Sequence, residues 1–275
     1  MQKINYGLII SDFDGTLVSE DGTICPKNKQ AIAKYRENGG QFAISTGRLP
    51  NGILPRANEL GLKGVVSCCQ GAVIVDIETK EVIFQDFIKH ETALKICKAI
   101  EKLDIHMHMY CVWEFYCNKD DDALVYYQNI TGTKAKLVVD RPISQLLQEK
   151  KLDVCKFIMM VPPEDAEEII QTLEQENFED CVVTKSAPYL VEVVNGRCSK
   201  GTAVKFLSQY YQVPIEKTVS IGDQWNDIPM VKAAGLGIAV QNADLRLKEE
   251  ADEVCPYTNK EGAVGAVIEK YGFTE

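Results

Sequence analysis

Apolar and polar positions fall in short alternating blocks along this chain, and the block lengths carry the first information. The run YGLII, ending at Ile10, is too short for a buried helix and reads as a β-strand. PKNKQAIAKYRENGG opens on Pro26, places Ala31, Ile32 and Tyr35 on one helical stripe and stops at a double glycine, which predicts a helix. QFAIS predicts a second strand, RLPNGILPRANELGL a second helix broken near its prolines, and GVVSCC a third strand. Strand–helix alternation of this kind predicts a parallel sheet with helices on both faces.

The rhythm then changes. AVIVDIETKEVIFQDF reads as a hairpin around ETK, followed by the helix ETALKICKAIEKLD and two strands, IHMHMYC and WEFYC. A helical stretch near 121–130, a polar loop, the strand VCKFIMMV, the helix PEDAEEIIQTLEQE and the strands CVVTK and YLVEVV complete this part. Hairpins mixed with helices predict an α+β module with an antiparallel sheet. From Ser199 the earlier rhythm returns: helix SKGTAVKFLSQYY, strand KTVSIG, helix QWNDIPMVKAA, strand GLGIAV and helix NADLRLKEE. The expected fold is α/β: a Rossmann-like, doubly wound parallel-sheet core of residues 1–84 and 189–275, with residues 85–188 inserted as a separate module.

Composition narrows the partners. The 275 residues are 45% hydrophobic and 25% charged, as in a soluble globular protein. Thirty basic against forty acidic residues leave a formal charge of −10, which repels nucleic acid and anionic membranes. A small anionic substrate then requires a local cation. No apolar run is long enough for a membrane span or a secretion signal, so the expected location is cytoplasmic. Ten scattered cysteines without a C-x-x-C pair are expected to be reduced and mostly buried, against a disulfide or zinc framework. The vicinal Cys68–Cys69 is the one pair placed for oxidation.

Candidate chemistry begins where the first strand ends, in DFDGTL. Two carboxylates at the end of a buried strand are costly unless a cation is bound or the site does chemistry. Asp12 and Asp14 share a strand face if the strand stays extended, and close carboxylates either share a proton or hold a cation. Three further stretches fall at the same sheet edge, where open α/β folds bind ligands. ISTGR offers the Ser45 and Thr46 hydroxyls, Gly47 and then Arg48, as a loop that donates to an anion. SKG places Lys200 near a helix start as a compact positive charge. SIGDQWND supplies Asp223, Asn226 and Asp227. Carboxylates, one lysine, hydroxyls and a glycine-turned loop suit Mg²⁺ together with phosphate.

DFDGTL, STGR, SKG and GDQWND, in this order, resemble the four motifs of the haloacid dehalogenase superfamily, and the long insertion resembles the α/β cap of its Cof-type (type IIB) hydrolases. The likeness spans nearly the whole chain. It implies a Mg²⁺-dependent phosphatase acting on a small phosphorylated metabolite, sugar phosphates first, through a phosphoaspartate. Asp12 is then the nucleophile and Asp14 the general acid and base. Thr46, Gly47 and the backbone at Phe13 hold the phosphoryl group, and Lys200 neutralises it. Asp12, the Asp14 carbonyl and Asp223 bind the metal, Asp227 supports it from outside, and Asn226 reaches substrate. Two departures from the family pattern, Gln70 after the third strand and Asn195, Arg197 and Cys198 before Lys200, alter the expected pocket floor.

Plainer readings stand beside these. A lone D-x-D also occurs in glycosyltransferases, but SKG and GDQWND then have no task. Thr46, Asn226 and Asp227 suit helix caps, and Arg48 suits substrate or a structural carboxylate equally. His106 and His108 share a strand face, but with no third ligand nearby they are expected to be cap surface or pocket lining. Trp113, Phe115 and Tyr116 read as cap core, and Asp120–Asp122 as a solvated helix start. A phosphomutase and a non-catalytic sensor of phosphorylated metabolites are the alternative functions on the same fold.

Overall fold

The computed structural model describes residues 2–274. The chain begins with β1 (Leu8–Ser11), α1 (Pro26–Glu37), β2 (Gln41–Ile44), α2 (Pro50–Glu59) and the three strands β3 (Val65–Cys68), β4 (Val73–Asp76) and β5 (Val82–Gln85). It continues through α3 (His90–Lys102), β6 (His106–Tyr110), β7 (Phe115–Cys117), α4 (Asp122–Thr131), β8 (Lys136–Leu137) and α5 (Ile143–Lys150). Then come β9 (Lys156–Met160), α6 (Ala166–Gln175), β10 (Cys181–Ala187) and β11 (Leu190–Asn195). The last part holds α7 (Lys200–Tyr210), β12 (Thr218–Gly222), α8 (Ile228–Ala233), β13 (Leu236–Ala239), α9 (Leu245–Glu250), β14 (Glu253–Val254) and α10 (Ala263–Tyr271).

Five strands form a parallel sheet in the order β14-β13-β12-β1-β2. β1 is wholly buried because both its faces are covered, as parallel sheets require. Leu8 and Ile10 pack against Val204 and Leu207 of α7 and Met230 of α8. Ile9 points the other way, into the cluster with Ile32 of α1 and Val264 and Ile268 of α10. The run GVVSCC does not extend this sheet as expected. β3 pairs antiparallel with β4, and β4 with β5, while a single parallel bridge, Ser45 to Ser67, ties β3 to the end of β2. β4 takes one edge of β3; on the other edge the Thr46 N–H, just past β2, donates to the Ser67 carbonyl at 2.9 Å.

A second, mostly antiparallel sheet of six strands runs β10-β11-β9-β6-β7-β8. Its outer face carries Met107, Met109, Phe157, Met159, Val191 and Val193, which pack with apolar residues of α3, α5 and α6. Alternation turns Lys156, Ile158 and Glu192 to the opposite face. β11 is hydrogen-bonded into this sheet although it lies past residue 188, where the sequence places the end of the insertion; the ladders to β9 and β10 hold the chain there until Asn195. Two helices were not anticipated. α5 falls in the expected polar loop, with Ile143, Leu146 and Leu147 buried on one side, and α10 covers β1. The expected helix QWNDIPMVKAA starts as a tight single turn at Trp225–Asp227 before α8. No helix among the described residues is long and apolar enough to cross a membrane.

Candidate active site

The C-terminal ends of β1, β2 and β12 and the start of α7 converge on one point. Asp12 is reached directly from β1 and held by its own N–H, which donates to the Ile221 carbonyl of β12 at 2.8 Å. Its side chain is 6% exposed. The chain then turns sharply: Gly15 adopts φ +82°, and a Cβ there would lie 2.3 Å from Asp223 Oδ2. Only glycine lets the loop pass this close to the Asp223 carboxylate.

Lys200, at the first turn of α7, is buried and bridges two carboxylates. Its Nζ lies 2.5 Å from Asp12 Oδ1 and 2.5 Å from Asp227 Oδ1. Ser199 caps the helix, its hydroxyl accepting from the Thr202 N–H, and so fixes where Lys200 departs. Asp227 is spent on structure: its other oxygen accepts the N–H groups of Asp223 and Gln224 at 2.8 and 3.0 Å. Asp223 in turn accepts the Thr16 hydroxyl at 2.7 Å. Burial lowers the Lys200 ammonium, but Asp12 and Asp227 outweigh it and hold the group above its usual range.

Asp12, Asp223 and Asp227 bring one carboxylate oxygen each within 4.8 Å of one another. One lysine cannot balance three buried carboxylates. Burial therefore pushes Asp12 well above the ordinary carboxyl range, Lys200 opposing. Burial and the Asp227 charge raise Asp223 to about 7. An all-oxygen donor set with surplus negative charge fits a hard divalent cation. The cluster is a site that can hold a metal.

Asp14 does not join this group. Its carboxylate turns away from Asp12 and takes two hydrogen bonds from Arg48, Nε to Oδ2 at 2.8 Å and Nη2 to Oδ1 at 2.7 Å. Arg48 also donates to the carbonyls of Ile130 and Thr131 at the end of α4, at 3.0 and 3.4 Å, and stacks over the buried Phe13 ring. The guanidinium thus links the strand-end loop, the STGR loop and the second sheet's layer. Thr46 is buried, with its hydroxyl accepting the Arg48 N–H at 3.1 Å. A Cβ on Gly47 would meet Gln70 Nε2 at 2.7 Å and Lys156 Nζ at 3.1 Å, so a larger residue there would push both side chains out of their present positions in the cavity wall.

Asp12, Asp14, Thr46, Gly47, Arg48 and Lys200 line one cavity of about 120 Å³ between the two sheets, and Asp223 and Asp227 stand behind it. Of its far wall, Gln70 and Asn226 are expected from sequence and Lys156 and Glu192 are not, while Asn195, Arg197 and Cys198 do not line this cavity. Lys156 and Glu192 form a buried ion pair at 2.9 Å, and Gln70 Nε2 donates to the same Glu192 oxygen at 3.0 Å. Asn226 donates to Gln70 Oε1 at 3.0 Å, while its own Oδ1 is buried without a partner. Gln70 reaches inward because Cys69 and Gln70 both adopt positive φ, 51° and 60°. A lysine inside KFIMM and a glutamate inside LVEVV, each a lone charge in an apolar strand, are the signals that mark the pair.

The chain matches the family described as haloacid dehalogenase-like hydrolase over residues 9–268. The Bacillus subtilis phosphatase YwpJ is 25% identical, over 95% of this chain and 98% of its own. The Escherichia coli pyridoxal phosphate phosphatase YbhA is 26% identical, over 90% of this chain and 92% of its own. A haloacid dehalogenase-like hydrolase from Bacteroides thetaiotaomicron superposes with a TM-score of 0.81 at 26% identity, covering 96% and 99% of the two chains. A family match of this length, which spans every segment that builds the site, makes this chain an enzyme of the haloacid dehalogenase-like hydrolase family.

Proposed function

We propose that the enzyme hydrolyses small phosphate monoesters with Mg²⁺, by way of a phosphoaspartate on Asp12. The observation that carries this reading is the buried Asp12–Lys200 pair on a cavity floor beside two further carboxylates. Asp12 and Asp223, with the Asp14 main-chain carbonyl, would hold the cation, and Asp227 would fix Asp223 and Lys200 around it. Bound there, Mg²⁺ supplies charge neutralisation for an attack that is otherwise anion upon anion.

Asp12 then forms a bond to phosphorus while the ester P–O bond breaks, and Asp14 delivers a proton to the departing alkoxide. In the second step water attacks the same phosphorus, its proton passes to Asp14, and phosphate leaves with the Asp12 carboxylate restored. Thr46, Gly47 and the backbone at Phe13 orient the transferring group, Lys200 balances its charge, and Asn226 contacts substrate. Arg48 holds Asp14 between turnovers.

The division into a core of 1–84 and 189–275 and a cap of 85–188, with β11 counted to the cap by its ladders, assigns substrate choice to the cap, which places Tyr127, Lys156 and Ser186 on the cavity. With Glu192 and Gln70 these present hydroxyl, ammonium, carboxylate and amide to the leaving group, which favours a sugar phosphate. Tyr127 and Tyr189 on the same wall, with the activity named for the Escherichia coli relative, support pyridoxal phosphate as the second substrate class. Ten cysteines, all free thiols, suit a reducing, cytoplasmic location.

The test is phosphate release from sugar phosphates, pyridoxal phosphate and an aryl phosphate, with and without Mg²⁺, in wild type and Asp12→Asn. Metal-dependent release abolished by Asp12→Asn supports the proposal. A folded, Mg²⁺-binding protein that releases no phosphate points to the sensor, and phosphate moved within a sugar points to the mutase.

A further inference from the structure

Away from this site, the second sheet holds a cluster that the hydrolase chemistry does not use. His106 and His108 project from the same face of β6, and the β6–β7 register sets Cys117 directly opposite His108. The sequence lacks a visible third ligand because Cys117 reaches the pair only through this strand pairing. The Nε2 atoms of the two histidines are 2.7 Å apart, and Cys117 Sγ lies 3.3 Å from His106 Nε2. His108 and Cys117 are fully buried and His106 nearly so.

Four features separate this trio from an ordinary packed hydrogen-bond cluster. First, Asp121 Oδ2 lies 3.0 Å from His106 Nδ1. In a neutral imidazole that carboxylate takes the Nδ1–H and leaves the Nε2 lone pair aimed at His108 and Cys117; a carboxylate behind a histidine is the usual support of a metal-bound imidazole. Second, the two Nε2 atoms face each other at 2.7 Å, so without a metal one imidazole must point its N–H at the other, whereas a cation between them takes both lone pairs; His108 Nδ1 lies outside the trio and has no partner in either case. Third, the Lys119 carbonyl accepts the Cys117 S–H at 3.1 Å, which draws the thiol proton out of the trio and leaves the sulfur lone pairs facing the histidines. Fourth, Phe115 and Tyr127 pack their rings on His108, 4.8 and 4.6 Å between centroids, giving the site a dry wall.

We propose that His106, His108 and Cys117 form a zinc site within the cap region, separate from the carboxylate cluster. Two imidazoles and a thiolate are borderline-to-soft donors that select Zn²⁺ over Mg²⁺, whereas the all-oxygen cluster does the reverse. Tetrahedral Zn–N bonds of about 2.0–2.1 Å place two nitrogens roughly 3.3 Å apart, so binding opens the histidine pair by several tenths of an ångström. The thiol proton is released to solvent as the thiolate binds. The ion would fasten β6 and β7 to the start of α4, where Asp121 also caps the helix by accepting the Leu124 N–H at 3.0 Å. The other end of α4 is the segment gripped by Arg48, so the site braces the strut that joins the two layers.

The experiment loads the full-length protein with Zn²⁺ or Co²⁺ in excess Mg²⁺, removes free metal, and reads metal content and the cobalt spectrum. Stoichiometric zinc is expected in wild type and in Asp223→Asn, with a thiolate-to-cobalt charge-transfer band in both. Cys117→Ser should lose the band. Asp121→Asn keeps a side chain able to cap α4, retains the band, and should hold zinc about 10–100-fold more weakly. This surface variant carries the test if Cys117→Ser does not fold. Absence of the band in wild type, its persistence in Cys117→Ser, or unchanged zinc retention in Asp121→Asn would overturn the proposal.

Discussion

Arg48 grips Asp14 through two parallel hydrogen bonds of 2.8 and 2.7 Å, and with the same guanidinium holds two carbonyls at the end of α4. A planar fork meets a planar carboxylate here, a geometry that lysine cannot reproduce. The side chain proposed to carry protons is thereby linked to the layer that closes over it. Arg48→Lys should lower kcat/KM roughly 10²-fold through misplacement of Asp14, with the fold intact. Steady-state kinetics beside circular dichroism checks this; wild-type kinetics in the variant would dissociate Asp14 positioning from Arg48.

Asp12→Asn keeps the shape of the site and removes the attacking carboxylate. Turnover should fall by at least about 10³-fold, since loss of a covalent nucleophile removes the whole two-step route. Trapping of ³²P on wild type but not on the variant identifies the atom that forms the bond.

The raised carboxyls set a pH dependence whose sign follows from linkage. Asp223 ordinarily titrates near 3.8 but is lifted to about 7 in the metal-free fold. The folded protein then binds a proton that the unfolded chain has released, so this contribution to stability is present at low pH and is lost as pH rises through that window. A divalent cation competes with the same proton. The rise in Tm produced by Mg²⁺ should therefore be larger at pH 8 than at pH 6, by scanning calorimetry. An equal rise at both would place the cation on groups that do not titrate here.

Lys156 and Glu192 are buried to 1% and 2% exposure of their side chains and rely on each other. Lys156→Met strands a carboxylate and should cost about 3–5 kcal/mol. The double variant Lys156→Met/Glu192→Leu should recover most of that loss while altering substrate preference. Urea denaturation of the two variants, with the substrate panel, separates the energetic role from the binding role.

Gly201 follows Lys200 where α7 crosses α8. A Cβ there would stand 2.3 Å from the Pro229 carbonyl, which is backbone and cannot swing aside. Gly201→Ala should destabilise the protein by about 1–3 kcal/mol despite its better helix propensity. A midpoint equal to wild type would show that the two helices separate at little cost.

The sequence by itself determined the alternation of strands and helices, the α/β class and the four segments at the sheet edge, because these are local. A burial pattern of period two or 3.6, a glycine turn or a helix cap is written within a dozen residues. The tertiary structure alone decided what depends on residues brought together from afar. GVVSCC has the composition of a parallel strand, yet β4 captures it in a hairpin. Asp12 and Asp14 are two positions apart, yet Lys200 takes one and Arg48 the other, so the pair divides instead of converging. Lys156 meets Glu192, and Cys117 meets His108, only through strand register, which nothing in either segment alone encodes. Partner choice among buried polar groups is settled by whole-chain packing, since each must find its hydrogen bond wherever the fold supplies one.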